Sequence, residues 1–196
     1  MTVSNGGNPN GASMSLDRRR QLLDIAEHYD LLIIEDDPYY FLQFEKPVES
    51  IFTLDWGNEA RKRTIRSDSL SKVVSAGIRI GWLTGPSEVI QKVELATQAS
   101  TLHCPALVQA ICAKLLESWG EEGFTRHVDQ VQAFYKAQRD AMLEAADKHL
   151  TGLGTRFYNY SMTISKCKIT ITVVFSRNMA SLKKIQIIFA QLVLMF

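Results

Sequence analysis

An α/β fold, a small sheet followed by long helices, is what this 196-residue sequence predicts. Three observations carry the prediction. A helical stripe leads straight into the continuous apolar run Leu31-Leu32-Ile33-Ile34, the pattern of a strand in a parallel sheet covered on both faces. Two further short runs, Thr64-Ile65-Arg66 and Ile78-Arg79-Ile80-Gly81-Trp82-Leu83, have strand character, and Gly85-Pro86 closes the second. Beyond them, apolar residues recur at helical spacing: Val89, Val93 and Ala96, then Leu107, Ile111 and Leu115, then Val128, Val131, Phe134 and Tyr135.

Taken in order, residues 1–14 are small and polar, with Asn-Pro and Asn-Gly turn signals, and read as loop. The first helix follows. Ser15 suits its N-cap, Asp17 its first turn, and Leu22, Ile25, Ala26 and Tyr29 its buried stripe. Strands are expected at about 31–35, 64–67 and 78–84, and helices from there to about residue 149. At Gly152-Leu153-Gly154 the character changes: residues 157–196 hold no acidic group. Ile169–Phe175 could form a strand there, and Ile185–Phe196 is an apolar end too short to span a bilayer.

Composition narrows the class. With 46% hydrophobic and 22% charged residues, the chain is globular rather than disordered or collagenous. A formal charge of +1 gives no basic field for nucleic acid or an anionic membrane, so neither is expected as a partner. Cys104, Cys112 and Cys167, odd in number and without metal-binding spacing, argue against a disulfide framework or a zinc site; no metal is expected.

The chemistry lies in features spread over residues 8–81: Asn8-Pro9-Asn10-Gly11, Asp36-Asp37-Pro38-Tyr39, Ser69-Leu70-Ser71-Lys72 and Gly77-Ile78-Arg79-Ile80-Gly81. Singly, each has a plainer reading, since surface lysines and turn carboxylates are common. Together they meet the needs of pyridoxal phosphate. That cofactor requires an amine to hold its aldehyde and a carboxylate for its ring nitrogen. It also requires hydroxyl or amide donors for its phenolic oxygen, and arginine with hydroxyls for its phosphate.

On these motifs, with LLIIEDDPYYFLQF, SDSLSKVVSAGIRIGWLTGP, QASTLH and SWGEEGF, the chain from about Asn8 to Leu153 resembles the fold-type I aminotransferases of class I and II. The resemblance implies a part of their three-layer α/β/α large domain, followed by long helices and an unrelated C-terminal tail. The divisions expected are 1–100, the partial cofactor-binding domain; 101–153, helices leading toward a small domain; and 154–196, the divergent tail. By the same resemblance Lys72 is the lysine that holds the cofactor, Asp36 the partner of its ring nitrogen, and Tyr39 a ligand of its phenolic oxygen. Asn8 joins Tyr39, while Ser69, Ser71 and Arg79 hold the phosphate. Asp37 and Tyr40 are expected as turn and packing residues, and His28, His127 and His149 as surface or cap residues. His103 is a candidate to face the site.

The activity implied is transfer of an amino group from a kynurenine- or 2-aminoadipate-like amino acid to a 2-oxo acid such as 2-oxoglutarate, in a homodimer. The compartment implied is mitochondrial or cytoplasmic. Asn10 stands where the family has threonine. The family's upstream phosphate loop, its ring-stacking aromatic and its carboxylate-binding arginine have no counterpart in the sequence. A truncated, non-catalytic fragment is therefore the alternative expectation.

Overall fold

The computed structural model describes residues 1–7, 11–57, 62–151, 155–156 and 172–173. Helix α1, Leu16–His28, starts where expected: Ser15 Oγ accepts from the backbone N–H of Arg18, and Asp17 lies in the first turn. It ends in a Schellman motif with Asp30 in the left-handed region at φ 51°. The N–H groups of Asp30 and Leu31 reach back to the carbonyls of Glu27 and Ala26.

The chain then enters β1, Ile33–Asp36, and after a 3₁₀ turn at Tyr40–Leu42 forms the short helix α2, Ile51–Trp56. Strand β2, Thr64–Ser69, runs parallel to β1, with Ile33 opposite Thr64 and Asp36 opposite Ser67. Strand β3, Gly81–Thr84, is antiparallel to β2, with Ser69 opposite Gly81. The sheet is therefore mixed, in the order β1-β2-β3. Helices α3, Ser87–Ser100, and α4, Ala106–Leu150, complete the main body. Gly120, at φ 58° and ψ −170°, breaks the helical path of α4 and kinks it. The small pair β4, Thr155–Arg156, and β5, Thr172–Val173, is antiparallel. The remainder of the expected tail lies outside the described residues.

Several expectations change. The first residues are polar but not loose: Thr2 pairs in parallel with Glu35 on the free edge of β1, while Ser4 and Asn5 are fully buried. The third strand begins at Gly81 rather than residue 78, because Arg79 takes φ 56° and interrupts the extended run. On α1 the buried face is Arg19, Leu23 and Ala26, with Leu22 half-buried; Ile25 is 50% exposed and Tyr29 67%. An arginine occupies the centre of that face, so an apolar stripe placed the helix rotated toward solvent. Of the apolar run, Ile33 faces the core, whereas Leu31, Leu32 and Ile34 are exposed.

Arg19 is fully buried because its guanidinium satisfies an array of acceptors. Its Nε donates to the Met14 carbonyl at 3.0 Å, Nη1 to the Glu49 carbonyl at 2.7 Å, and Nη2 to the Ser4 carbonyl at 3.1 Å and Asn5 Oδ1 at 2.7 Å. Beside it Leu23, Ala26, Ile33 and Ile51 form an apolar core, with Met14, Leu22 and Leu54 packed against it. Among the described residues no helix is long and apolar enough to cross a membrane, and no group of three or more His, Cys, Asp or Glu could hold a metal.

The two faces of α1 predict different responses to truncation. Leu23→Ala removes buried methyl groups and is expected to cost about 2–5 kcal/mol. Ile25→Ala, at a half-exposed position, is expected to cost under about 1 kcal/mol. Urea unfolding of the two variants checks the rotation of the helix directly.

Candidate functional site

The carboxyl end of β1 delivers Asp36, and the turn after it delivers Tyr39; the carboxyl end of β2 delivers Ser69, and the turn after it Ser71 and Lys72. Because β1 and β2 are parallel, both turns emerge on the same side of the sheet. The Lys72 ammonium lies 5.7 Å from the centre of the Tyr39 ring. Burial pushes the Tyr39 hydroxyl above the ordinary tyrosine pKa, and the Asp36 charge adds to that shift. Lys72 and Tyr39 are thus neighbours, and Asp36 ends β1 three residues before Tyr39.

The turn bearing Lys72 is wound on a single carbonyl. The N–H groups of Val73, Val74 and Ser75 point at Leu70 O, at 3.3, 2.9 and 3.3 Å. Ser69 Oγ accepts from Ser71 N–H at 3.1 Å, and Arg79 Nη1 donates to Ser71 Oγ at 3.2 Å and to the Ala76 carbonyl at 3.3 Å. The guanidinium remains exposed, next to serine hydroxyls. Its backbone conformation is uncommon for a residue other than Gly, Asn or Asp, and costs roughly 1–3 kcal/mol. Gly81 follows by necessity: a Cβ there would lie 2.9 Å from Asp68 O. Lys72, Leu42, Val131, Phe134 and Tyr135 border a cavity of about 280 Å³.

Asn8 lies outside the described residues. The structure brings the other expected residues together in two linked groups, Asp36–Tyr39–Lys72 and Ser69–Ser71–Arg79, joined through the Ser69–Lys72 turn. His103 is exposed and borders a different cavity, of about 670 Å³, beside Trp82 and Asp68. His127 is not a surface or cap residue: it is half-buried within α4, with Nε2 2.8 Å from the Val73 carbonyl.

What sequence reasoning missed is the charged layer beneath the site. Asp37 is buried, not a plain turn residue, and Asn5 Nδ2 lies 2.9 Å from both of its carboxylate oxygens. Arg66 spends its fork on Asp68, at 2.7 and 2.8 Å, and reaches Asp37 only at 3.6 Å. Its guanidinium also stacks over the Tyr40 ring at 4.4 Å. Burial, the largest single influence on Arg66, lowers its pKa, but the hydrogen bond to Asp68 and the charges of Asp68, Asp37 and Glu35 together raise it. For Asp37 burial wins. Its carboxyl is pushed up to about 6 against the opposing pull of Asn5 and Arg66. The signal available in the sequence was Arg66 and Asp68, two residues apart and so on one face of β2, just before Ser69.

A pH dependence follows from Asp37. Its folded pKa, about 6, lies above its ordinary value of 3.8, so the folded state holds the extra proton between them. The resulting stability is fully present below pH 4 and is lost as pH rises through 6, a change on the order of 3 kcal/mol. Urea midpoints of Asp37→Asn are expected to lose this slope between pH 4 and 6, relative to the unsubstituted chain.

Comparison with known proteins gives the following. The family described as aminotransferase class I and II matches residues 1–188, a range that continues past Leu153. The mitochondrial kynurenine/alpha-aminoadipate aminotransferase of Rattus norvegicus is 53% identical over 152 residues, covering 78% of this chain and 35% of the relative. Its counterpart from Bos taurus is 50% identical over the same coverage. Among solved structures, the alpha-aminoadipate aminotransferase LysN of Thermus thermophilus, complexed with N-(5'-phosphopyridoxyl)-L-leucine, is similar with a TM-score of 0.76 at 30% identity, over 83% of this chain and 40% of that one. The kynurenine aminotransferase of Pyrococcus horikoshii gives 0.72 at 33% identity, over 82% and 38%. The chain thus spans about a third of the length of the curated relatives it matches.

Proposed function

The chain belongs to the class I and II aminotransferases, and on that footing we propose that it carries the lysine-bearing part of a pyridoxal phosphate-dependent transaminase. The donor is a kynurenine- or 2-aminoadipate-like amino acid, and the acceptor a 2-oxo acid such as 2-oxoglutarate. The rat and cattle relatives act on such amino acids by name and are mitochondrial, which favours that compartment here. The functional unit is a homodimer, as the family implies.

One observation carries the reading: the Lys72 amine stands over the ring of Tyr39, whose hydroxyl also feels the charge of Asp36. An amine, a phenol and a carboxylate at the carboxyl ends of parallel strands form the donor set that this cofactor requires. When bound, pyridoxal phosphate supplies an aldehyde for the amino group and a ring that withdraws electrons. Lys72 would hold the cofactor's aldehyde and, as a free amine, would take up the proton from the substrate Cα. Such transfer by one positioned side chain contributes roughly 10²–10⁴-fold. Asp36 would pair with the ring nitrogen and favour its protonated form. Tyr39, a phenol at neutral pH whose ionisation burial makes harder still, would donate to the ring oxygen. Asn8 assists there, while Ser69, Ser71 and Arg79 take the phosphate; the exposed guanidinium and its neighbouring hydroxyls suit a dianion.

A second reading, cofactor binding without turnover, is favoured by the lining of the Lys72 cavity. Among the described residues it contains no arginine to grip a substrate α-carboxylate, and such gripping supplies much of the positioning on which rate depends.

Both readings expect a visible absorption band on adding pyridoxal phosphate to the chain, lost in Lys72→Ala. A band that survives Lys72→Ala sinks the residue assignment. Amino transfer from kynurenine or 2-aminoadipate to 2-oxoglutarate, followed by product formation, then separates the first reading from the second.

A further inference from the structure

We infer that His127 is a positioning residue for Lys72: its imidazole, stacked on Trp119, holds the carbonyl of Val73 and thereby fixes the turn from which the lysine side chain departs. The inference rests on the transaminase reading for its functional meaning, and on geometry for its substance.

The Val73 carbonyl lies 2.8 Å from His127 Nε2, across 54 residues of sequence. A carbonyl only accepts, so Nε2 carries the proton and the ring is either neutral with Nδ1 bare or cationic. The ring plane is set from the other side by Trp119, 4.5 Å away between centroids at 27°. Val73 is 3% exposed, so its carbonyl has little access to water as a substitute partner. Within the turn, Val73, Val74 and Ser75 all direct their N–H groups at Leu70 O. That arrangement closes the turn on itself but leaves its orientation to contacts from outside.

Helix α4 supplies those contacts to both arms of the site. One turn beyond His127, Gln132 Nε2 donates to the Phe41 carbonyl at 2.7 Å, which holds the turn that follows Tyr39. Phe124 packs edge-on to Phe41 at 5.4 Å. His127, Val131, Phe134 and Tyr135 lie at helical spacing and border the same cavity as Lys72. One helical face thus touches the segments that carry the lysine and the tyrosine. His127 contacts the residue immediately after the lysine.

The test uses the full chain and two variants. His127→Phe keeps a flat ring against Trp119 and removes the donor; His127→Gln removes the ring and keeps an N–H donor of similar reach. The first readout is the dissociation constant for pyridoxal phosphate, from the Lys72-dependent absorption band. His127→Phe is expected to bind about three- to tenfold more weakly, the equivalent of one hydrogen bond, and His127→Gln within twofold of the unsubstituted chain. The second readout needs no cofactor: reductive ¹³C-methylation of lysines, with the Lys72 signal assigned through Lys72→Arg, gives the titration midpoint of that amine. A shifted midpoint in His127→Phe, restored in His127→Gln, supports the inference.

Equal affinities and equal midpoints in all three proteins overturn it. So does retention in His127→Phe with loss in His127→Gln, which marks the ring as packing only. If no band forms even in the unsubstituted chain, the transaminase reading fails separately, and the amine titration alone decides the role of His127. Should His127→Phe not fold, His127→Leu takes its place as the variant without a donor, read against His127→Gln with the same outcomes.

Discussion

Carboxylates buried at the carboxyl ends of β1 and β2 set the conditions for everything around them. Glu35, Asp37 and Asp68 are each almost without solvent, and an unmatched charge in such surroundings costs several kcal/mol. Each therefore takes hydrogen-bonding partners, though at Asp37 these do not outweigh burial, and the pairing draws distant segments together. Glu35 accepts from the Ser4 hydroxyl and caps α2 through the N–H groups of Ile51 and Phe52. Asp37 takes Asn5, and Asn5 in turn takes Arg19 of α1. Asp68 takes Arg66. The N-terminal segment, two strands and two helices are tied by these few bonds, and Asp36 and Ser69 are direct neighbours of charges within them.

Much of the candidate site was legible because its motifs are contiguous. Asp36 and Tyr39, or Ser69 and Lys72, sit at fixed short spacings, and parallel strands bring the two sets to one side of a sheet. β1 and β2 were legible for a similar reason: short apolar runs reveal themselves locally. What could not be read depends on contacts that no local pattern announces. Nothing near Arg19 announces that carbonyls of Met14 and Glu49 await it, so the helix was oriented by Ile25 and Tyr29 instead. Small polar residues such as Ser4 and Asn5 look like loop until a carboxylate is placed opposite them. The start of β3 was misjudged because Arg79 is bulky and apolar-flanked, yet takes a conformation that ends an extended run.

The site is held from two sides by different physics. Beneath it the charged layer fixes strand ends through short, directional bonds among buried groups. On another side the second part of α4, beyond the kink at Gly120, touches the turns through the His127 imidazole, the Gln132 amide and the Phe124 ring. Elsewhere α4 carries exposed pairs such as Lys114–Glu117 and Lys136–Asp140, which add little to stability in water. The helix earns its place through its contacts with Val73 and Phe41.

The close approach at Gly81 has a meaning at the level of the gene. Every single-base missense change in a glycine codon installs a residue with a Cβ, and at this position that atom meets a backbone carbonyl rather than a side chain able to swing aside. No missense step away from this codon is sterically silent. Gly77, four residues earlier at the other end of the same motif, has only the Ser75 hydroxyl nearby, at 3.8 Å. Two glycines that look equivalent in the sequence thus differ in what a new side chain would meet, backbone at the second and a side-chain hydroxyl at ordinary contact distance at the first.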